Sequence, residues 1–169
     1  MDDSDLPLVR WTVRLAVACY AARVLMDVGD VGSHRARRGV WTVGLAFYLA
    51  HVVAAFHVVH HWSHAAAWAE TARQTFELTG WRSGAGLWAN YAFTLFWIGD
   101  VAARWASGPR DWRRFGWLSI AVHGVFAFLV FNATVVFGPA FWRPVAASFA
   151  LLVAVALVLR VRRGSSRLD

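Results

Sequence analysis

Apolar residues run through this chain in long blocks, not in the alternation of half-buried strands or the one-sided stripes of soluble helices. Five blocks stand out: Leu8–Val28, Val40–Trp62, Ala85–Trp105, Phe115–Phe137 and Val145–Val161. Crossing a bilayer takes roughly 20 mainly apolar residues in a helix, and these blocks have about that length. Short polar or glycine- and proline-bearing pieces separate them: Gly29–Gly39, Trp81–Gly86 (WRSGAG), Ser107–Arg114 (SGPRDWRR) and Gly138–Pro144 (GPAFWRP). Pro7 suits a helix start, where its missing N–H is not needed. After the second block the helix is expected to continue through AAAWAETARQTFELTG as a bent or surface-lying extension. Ala, Glu, Arg and Gln favour helix there, Arg73 and Glu77 make an i,i+4 pair, and Gly80 is a C-terminal stop.

The pattern predicts an all-α integral membrane protein. Its expected fold is a five-transmembrane-helix bundle with a helical extension after the second span, a single membrane domain covering residues 1–169. Composition strengthens this reading. Apolar residues make up 59% of the chain and charged residues 16%, with a mean hydropathy of +0.45; ordinary soluble domains have about 45–50% and about 25%. The acidic start, MDDSDLP, lacks the basic region of a cleavable signal peptide, so the first block is expected to remain as a helix. Its Arg10 and Arg23 can snorkel to the two interfaces, whereas Arg14 must face protein or water.

The net charge of +7 comes with 17 basic residues, all arginine. They cluster in the short connections, which argues for membrane topology and against nucleic acid. The absence of lysine is read as coding bias. With five spans, the 29–39 and 107–114 connections and the tail from Arg160 share one side and carry nearly all the loop arginines. The positive-inside rule makes that side cytoplasmic. The expected location is thus an integral one, in a bacterial inner membrane, with the N-terminus outside and the C-terminus cytoplasmic. Trp41, Trp105, Trp112 and Trp117 fall at one interface and Trp11, Trp62, Trp68, Trp81, Trp88 and Trp142 at the other, as aromatic belts do.

Candidate chemistry concentrates in residues 51–70, HVVAAFHVVHHWSHAAAWAE, which hold five of the seven histidines. On a continuous helix His57, His60, His61 and His64 fall within an arc of about 100° and rise about 10 Å. Neutral imidazole is a common transition-metal ligand, and pairs at i,i+3 or i,i+4 can share a metal. Glu70 follows closely enough to serve as a further ligand if the chain bends back. The candidate metal set is therefore His57, His60, His61, His64 and Glu70, for iron, copper or zinc. A second candidate is haem b held by His51, which lies on another face, and His123 of the fourth block, at a similar depth. Asn90, Tyr91 and Asn132 form a candidate polar pocket at the depth of the patch. Asp100 is expected to pair with Arg23 or Arg104.

The string His57-Val-Val-His60-His61 resembles the HxxHH box of membrane fatty-acid hydroxylases and desaturases. Those families use several such boxes for a di-iron site. Here the resemblance covers five residues, the HxxxH box is absent and the remaining histidines are isolated, so the family is not assigned. Asn132-Ala-Thr134 fits the N-glycosylation pattern but lies inside an apolar block. The single cysteine, Cys19, allows no disulfide within the chain. No Gly-rich phosphate loop, Ser/His/Asp order or zinc-finger spacing occurs.

The function expected from these features is a small integral membrane protein that binds a transition metal or haem through the patch, with a redox role. The alternative is a non-catalytic subunit or partner-binding component of a membrane complex, its histidines structural. Expected partners are the lipid bilayer and a membrane protein or a second copy of the chain, with no nucleic acid.

Overall fold

The computed structural model describes residues 6–107 and 116–165, and those residues are helical with no strand among them. The helices are α1 (Leu6–Val28), α2 (His34–Val58), α3 (His64–Thr79), α4 (Gly86–Ala106), α5 (Gly116–Phe131) and α6 (Trp142–Ser165). α5 runs into a single π-helical turn, Asn132–Val136. Most of the basic connection expected at 107–114, and the tail beyond Ser165, lie outside the described residues. Two helices are long and apolar enough to cross a membrane by length and composition: His34–Val58, and Trp142–Arg162 within α6. Ile120–Val136 is a shorter apolar helix.

The chain divides into two compact units, and the division falls inside α1 and α2. The first unit contains residues 1–18 and 42–106. Its interior is built on aromatic rings. Tyr48 of α2 meets Phe93 edge-on at 5.2 Å and Trp97 at 5.4 Å between centroids, and its hydroxyl bonds Thr94 Oγ1 at 3.1 Å. Trp105 Nε1 donates to Thr42 Oγ1 at 3.0 Å. Arg104 Nε donates to Asp100 Oδ2 at 2.6 Å, with both side chains buried. Of the two pairings expected for Asp100, the one within α4 forms. One i,i+4 spacing brings both charges to the same helical face, and a charge in an apolar helix is stabilised when paired.

α3 is the expected extension, but it is a separate helix. α2 ends at Val58, and the next four residues break the helix, with His61 at φ 47° and Trp62 at φ 59°. The Ser63 hydroxyl then accepts the Ala66 N–H at 3.2 Å and caps α3. Gly80 closes the helix in the left-handed region, φ 74°, and donates its N–H to Phe76 O, as expected of a glycine stop. Beyond it, Gly84 passes over the Trp68 indole so closely that a Cβ there would stand 2.4 Å from the ring. Glycine alone permits this approach, which seats the start of α4 against α3.

The second unit contains residues 19–41 and 107–169. Trp41 of α2 and Phe126 of α5 are its most buried large side chains, with ring centroids 4.5 Å apart. Tyr20 of α1 stacks on Phe126 at 5.6 Å and donates its hydroxyl to the carbonyl of His123 at 3.2 Å. None of the apolar stretch of α6 is buried; its residues are exposed or half-buried. In the π turn Asn132 Nδ2 donates to Phe128 O and Thr134 Oγ1 to Val130 O, each at 2.7 Å.

Capping gives a direct test of the α2–α3 break. Ser63→Ala removes the acceptor for the Ala66 N–H and is expected to cost α3 about 1 kcal/mol. Hydrogen exchange should show faster opening of α3 amides with α4 unchanged. Unaltered α3 protection would mean that the two helices do not break at Ser63.

Candidate functional site

The break at 59–62 decides the fate of the histidine patch. The one-face stripe of four histidines requires a continuous helix, and the chain does not supply one. His57 lies in the last turn of α2, His60 and His61 lie in the turn between the helices, and His64 is the first residue of α3. The break has a local cause. His60 and Trp62 donate their backbone N–H groups to Ala55 O and Phe56 O, at 3.1 and 2.8 Å, which winds the chain off the α ladder. Histidine is among the residues enriched at positive φ, whereas a bulky residue such as Trp62 is a true outlier there.

Trp62 is held in its strained conformation by its own side chain. Its indole lies 6.4 Å from Phe56 and 6.2 Å from His57 between centroids, and Nε1 donates to His57 Nδ1 at 3.2 Å. This bond fixes the His57 tautomer. An indole nitrogen can only donate, so Nδ1 of His57 is the unprotonated nitrogen and a neutral ring carries its proton on Nε2. A metal-ligating histidine has the reverse arrangement: one nitrogen on the metal and the other donating its N–H to an acceptor. His57 can serve as a ligand only after losing its bond to Trp62.

His64 and His60 also have partners of their own, whereas His61 is exposed. His64 Nδ1 bonds the Tyr91 hydroxyl at 3.0 Å, with the rings stacked at 5.9 Å and Trp88 close by at 5.7 Å. His60 packs edge-on against Phe56 at 5.6 Å. Burial holds its imidazole below the ordinary range, with the Glu70 carboxylate opposing and His61 reinforcing. Glu70 therefore reaches His60 electrostatically, but its oxygens are engaged elsewhere. Arg73 binds both of them, Gln74 Nε2 donates at 2.8 Å, and Arg73 also takes Glu77. Those bonds pull the Glu70 carboxyl from an ordinary 4.5 down to about 2. Among the described residues no three of His, Cys, Asp and Glu are grouped so as to hold a metal ion.

The candidate polar-pocket residues fall in both units. Asn90 and Tyr91 sit in the first unit, where Asn90 is exposed and Tyr91 is bound to His64. Asn132 sits in the second, bonded back to its own helix at Phe128.

The two histidines proposed for haem also belong to different units. His51 Nδ1 lies 2.9 Å from Val9 O. A carbonyl only accepts, so that nitrogen carries the proton. His123 Nε2 lies 3.1 Å from Asp27 Oδ2, and its buried Nδ1 has no hydrogen-bond partner. Each therefore donates one ring N–H to an oxygen, the arrangement that a histidine ligand adopts.

The Asp27 cluster is the feature that the sequence alone does not reveal. Besides His123, Asp27 accepts Arg23 Nε at 2.8 Å and has Arg37 at 3.7 Å. Arg23 also donates to Arg37 O at 3.3 Å and lies over the Trp41 ring at 5.8 Å. Spacing within α1 gives the Arg23–Asp27 pair; no sequence signal joins it to α5.

No family model matches the chain, and no curated protein or solved structure is significantly similar to it.

The Glu70 interactions carry a pH dependence of known sign. A carboxyl with a lowered folded-state pKa contributes stability above its ordinary value, and that contribution is lost as pH falls through the folded value. The thermal midpoint of the wild type is expected to drop between pH 4.5 and about 2 more steeply than that of Glu70→Gln. The difference is small because the pair is half-exposed. Parallel curves would show that Arg73 does not bind Glu70.

Proposed function

We propose that the chain is an integral membrane protein that acts through its surfaces, as a non-catalytic, partner-binding component of a membrane assembly, and not through a histidine-bound metal. In this reading α1, α2, α4, α5 with its π turn, and α6 cross the bilayer, and α3 lies at the extracytoplasmic interface. The N-terminus is outside and the arginine-rich α1–α2 turn is cytoplasmic. Two observations support five spans. Arg23 pairs with Asp27 inside α1 and Asp100 with Arg104 inside α4, and Arg14 lies over the Trp11 ring at 5.1 Å. Large apolar side chains face outward on helices of both units, including Leu95, Ile120, Phe128 and Leu151.

The observation that carries the functional reading is the His57–Trp62 bond. It fixes the tautomer opposite to that of a ligand and belongs to a turn that separates the four histidines. Their bonds to Trp62 and Tyr91 are those of structural, interfacial side chains, which pair an apolar body with a polar tip. A second reading, haem ligation by His51 or His123, is favoured by one observation: each donates an N–H to an oxygen, as a ligand does.

Metal analysis and a visible spectrum of protein purified in mild detergent test the reading. The expected result is colourless protein without stoichiometric iron, copper or zinc, and with a mass in light scattering above that of one 18.8 kDa chain. His61→Gly is expected to leave stability within about 1 kcal/mol, since relief at a positive φ offsets the entropy of glycine. A Soret band would establish the haem reading instead. Stoichiometric metal lost in His57→Ala/His61→Ala would overturn the proposal.

A further inference from the structure

Among the described residues of the second unit, positive charge gathers at one place beyond what their carboxylates answer. Asp27 and Asp30 are the only carboxylates among its described residues. Both lie at the α1–α2 turn, with Arg23, Arg35, Arg37 and Arg38 around them on α1 and α2. Asp27 is taken by Arg23 and His123. Asp30 is taken by Arg37 at 2.9 Å, and Arg37 also donates to Val31 O. Arg160 reaches the same turn from the far end of α6. It finds no carboxylate there and donates instead to the carbonyls of Asp27 and Val28, both at 3.3 Å. Those two bonds leave most of its five N–H donors unused. Arg35 and Arg162 are exposed and have no ion-pair or hydrogen-bond partner among the described residues.

Three further features define what kind of ion would answer this charge. Ser33 caps α2 by accepting the Ala36 N–H at 3.1 Å, so the positive end of the α2 dipole points at the same turn. α6, which brings Arg160 and Arg162, is apolar and unburied throughout the stretch before them, with Leu152, Val155 and Leu159 exposed. Guanidinium groups bind phosphate oxygens through paired donors. A ligand suited to both features has a phosphodiester at the arginines and hydrocarbon chains along α6.

From this charge imbalance and its position we infer that the α1–α2 turn and the end of α6 form a binding site for an anionic phospholipid headgroup. Arg35, Arg160 and Arg162 receive the phosphodiester, and the acyl chains lie on α6. Basic clusters beside the cytoplasmic ends of membrane helices attract such lipids. The site rests on the membrane reading above, and its test separates the two.

Full-length protein in mild detergent is titrated with dansyl-labelled phosphatidylglycerol, read by energy transfer from its tryptophans, with dansyl-labelled phosphatidylcholine in parallel. Phosphatidylglycerol is expected to bind at least tenfold more tightly, and the preference should shrink with added salt. Arg35→Gln/Arg162→Gln, which breaks no internal bond, should weaken phosphatidylglycerol binding about thirtyfold. Arg35→Lys/Arg162→Lys should keep most of the affinity, and Arg143→Gln, at the other end of α6, should keep all of it. Glycerol phosphate should not compete at the concentrations at which the lipid binds; equal competition would mean a free-phosphate site and would overturn the proposal. Equal affinity for the two lipids would also overturn it while leaving the membrane reading intact. Failure to take up either lipid would count against both.

Discussion

A charge buried in an apolar helix is costly unless the protein itself supplies its partner. That requirement organises both units. In the first, Asp100 and Arg104 neutralise one another on a single face of α4, both side chains buried. In the second, Asp27 collects Arg23 from its own helix, His123 from α5 and Arg37 from α2. Trp41, Tyr20 and Phe126 pack around that cluster, and the Tyr20 hydroxyl ties α1 to the His123 carbonyl. Removing one member of such a group leaves another charge buried without its counterion, which is costlier than never having placed the pair. Thus the few charged residues in the helices determine contacts that apolar packing leaves undefined.

Four of the histidines bond a partner within the chain through one ring nitrogen, and His123 keeps its other nitrogen buried without one. His51 donates to a carbonyl, His57 accepts from an indole, His64 bonds a phenol and His123 donates to a carboxylate. A polar atom in an apolar chain requires a partner, and aromatic residues supply two of the four. A high density of histidine in one stretch therefore need not signal a metal centre. It equally suits a turn whose histidines bond neighbouring aromatic side chains.

Helices were legible in the sequence because long apolar runs leave few alternatives. The ends of α1 at Val28 and of α3 at Gly80 carry an aspartate–glycine turn and a left-handed glycine that can be read directly. Arg73–Glu77 and Asp100–Arg104 follow from i,i+4 spacing. The break between α2 and α3 was not legible, because His61 and Trp62 take the left-handed conformation that glycine normally signals. Ser63 before an alanine-rich run was the available cue, and it competed with an uninterrupted helical pattern. Reading through it placed four histidines on one face that the chain divides among two helices and a turn. The His123–Asp27 contact was out of reach for another reason: it joins residues 96 positions apart, and a single sequence carries no signal for that pairing.

The account stands on the crossings, since α1 and α4 are read as spans through their answered charges. The most direct measurement is cysteine accessibility in sealed, oriented vesicles, on a Cys19→Ser background with single cysteines at Ser33 in the α1–α2 turn or at Ser83 before α4. A membrane-impermeant maleimide is expected to label Ser33→Cys only from the cytoplasmic side and Ser83→Cys only from the other. Labelling of both positions from the same side would contradict the crossing of α2 and the orientation built on it.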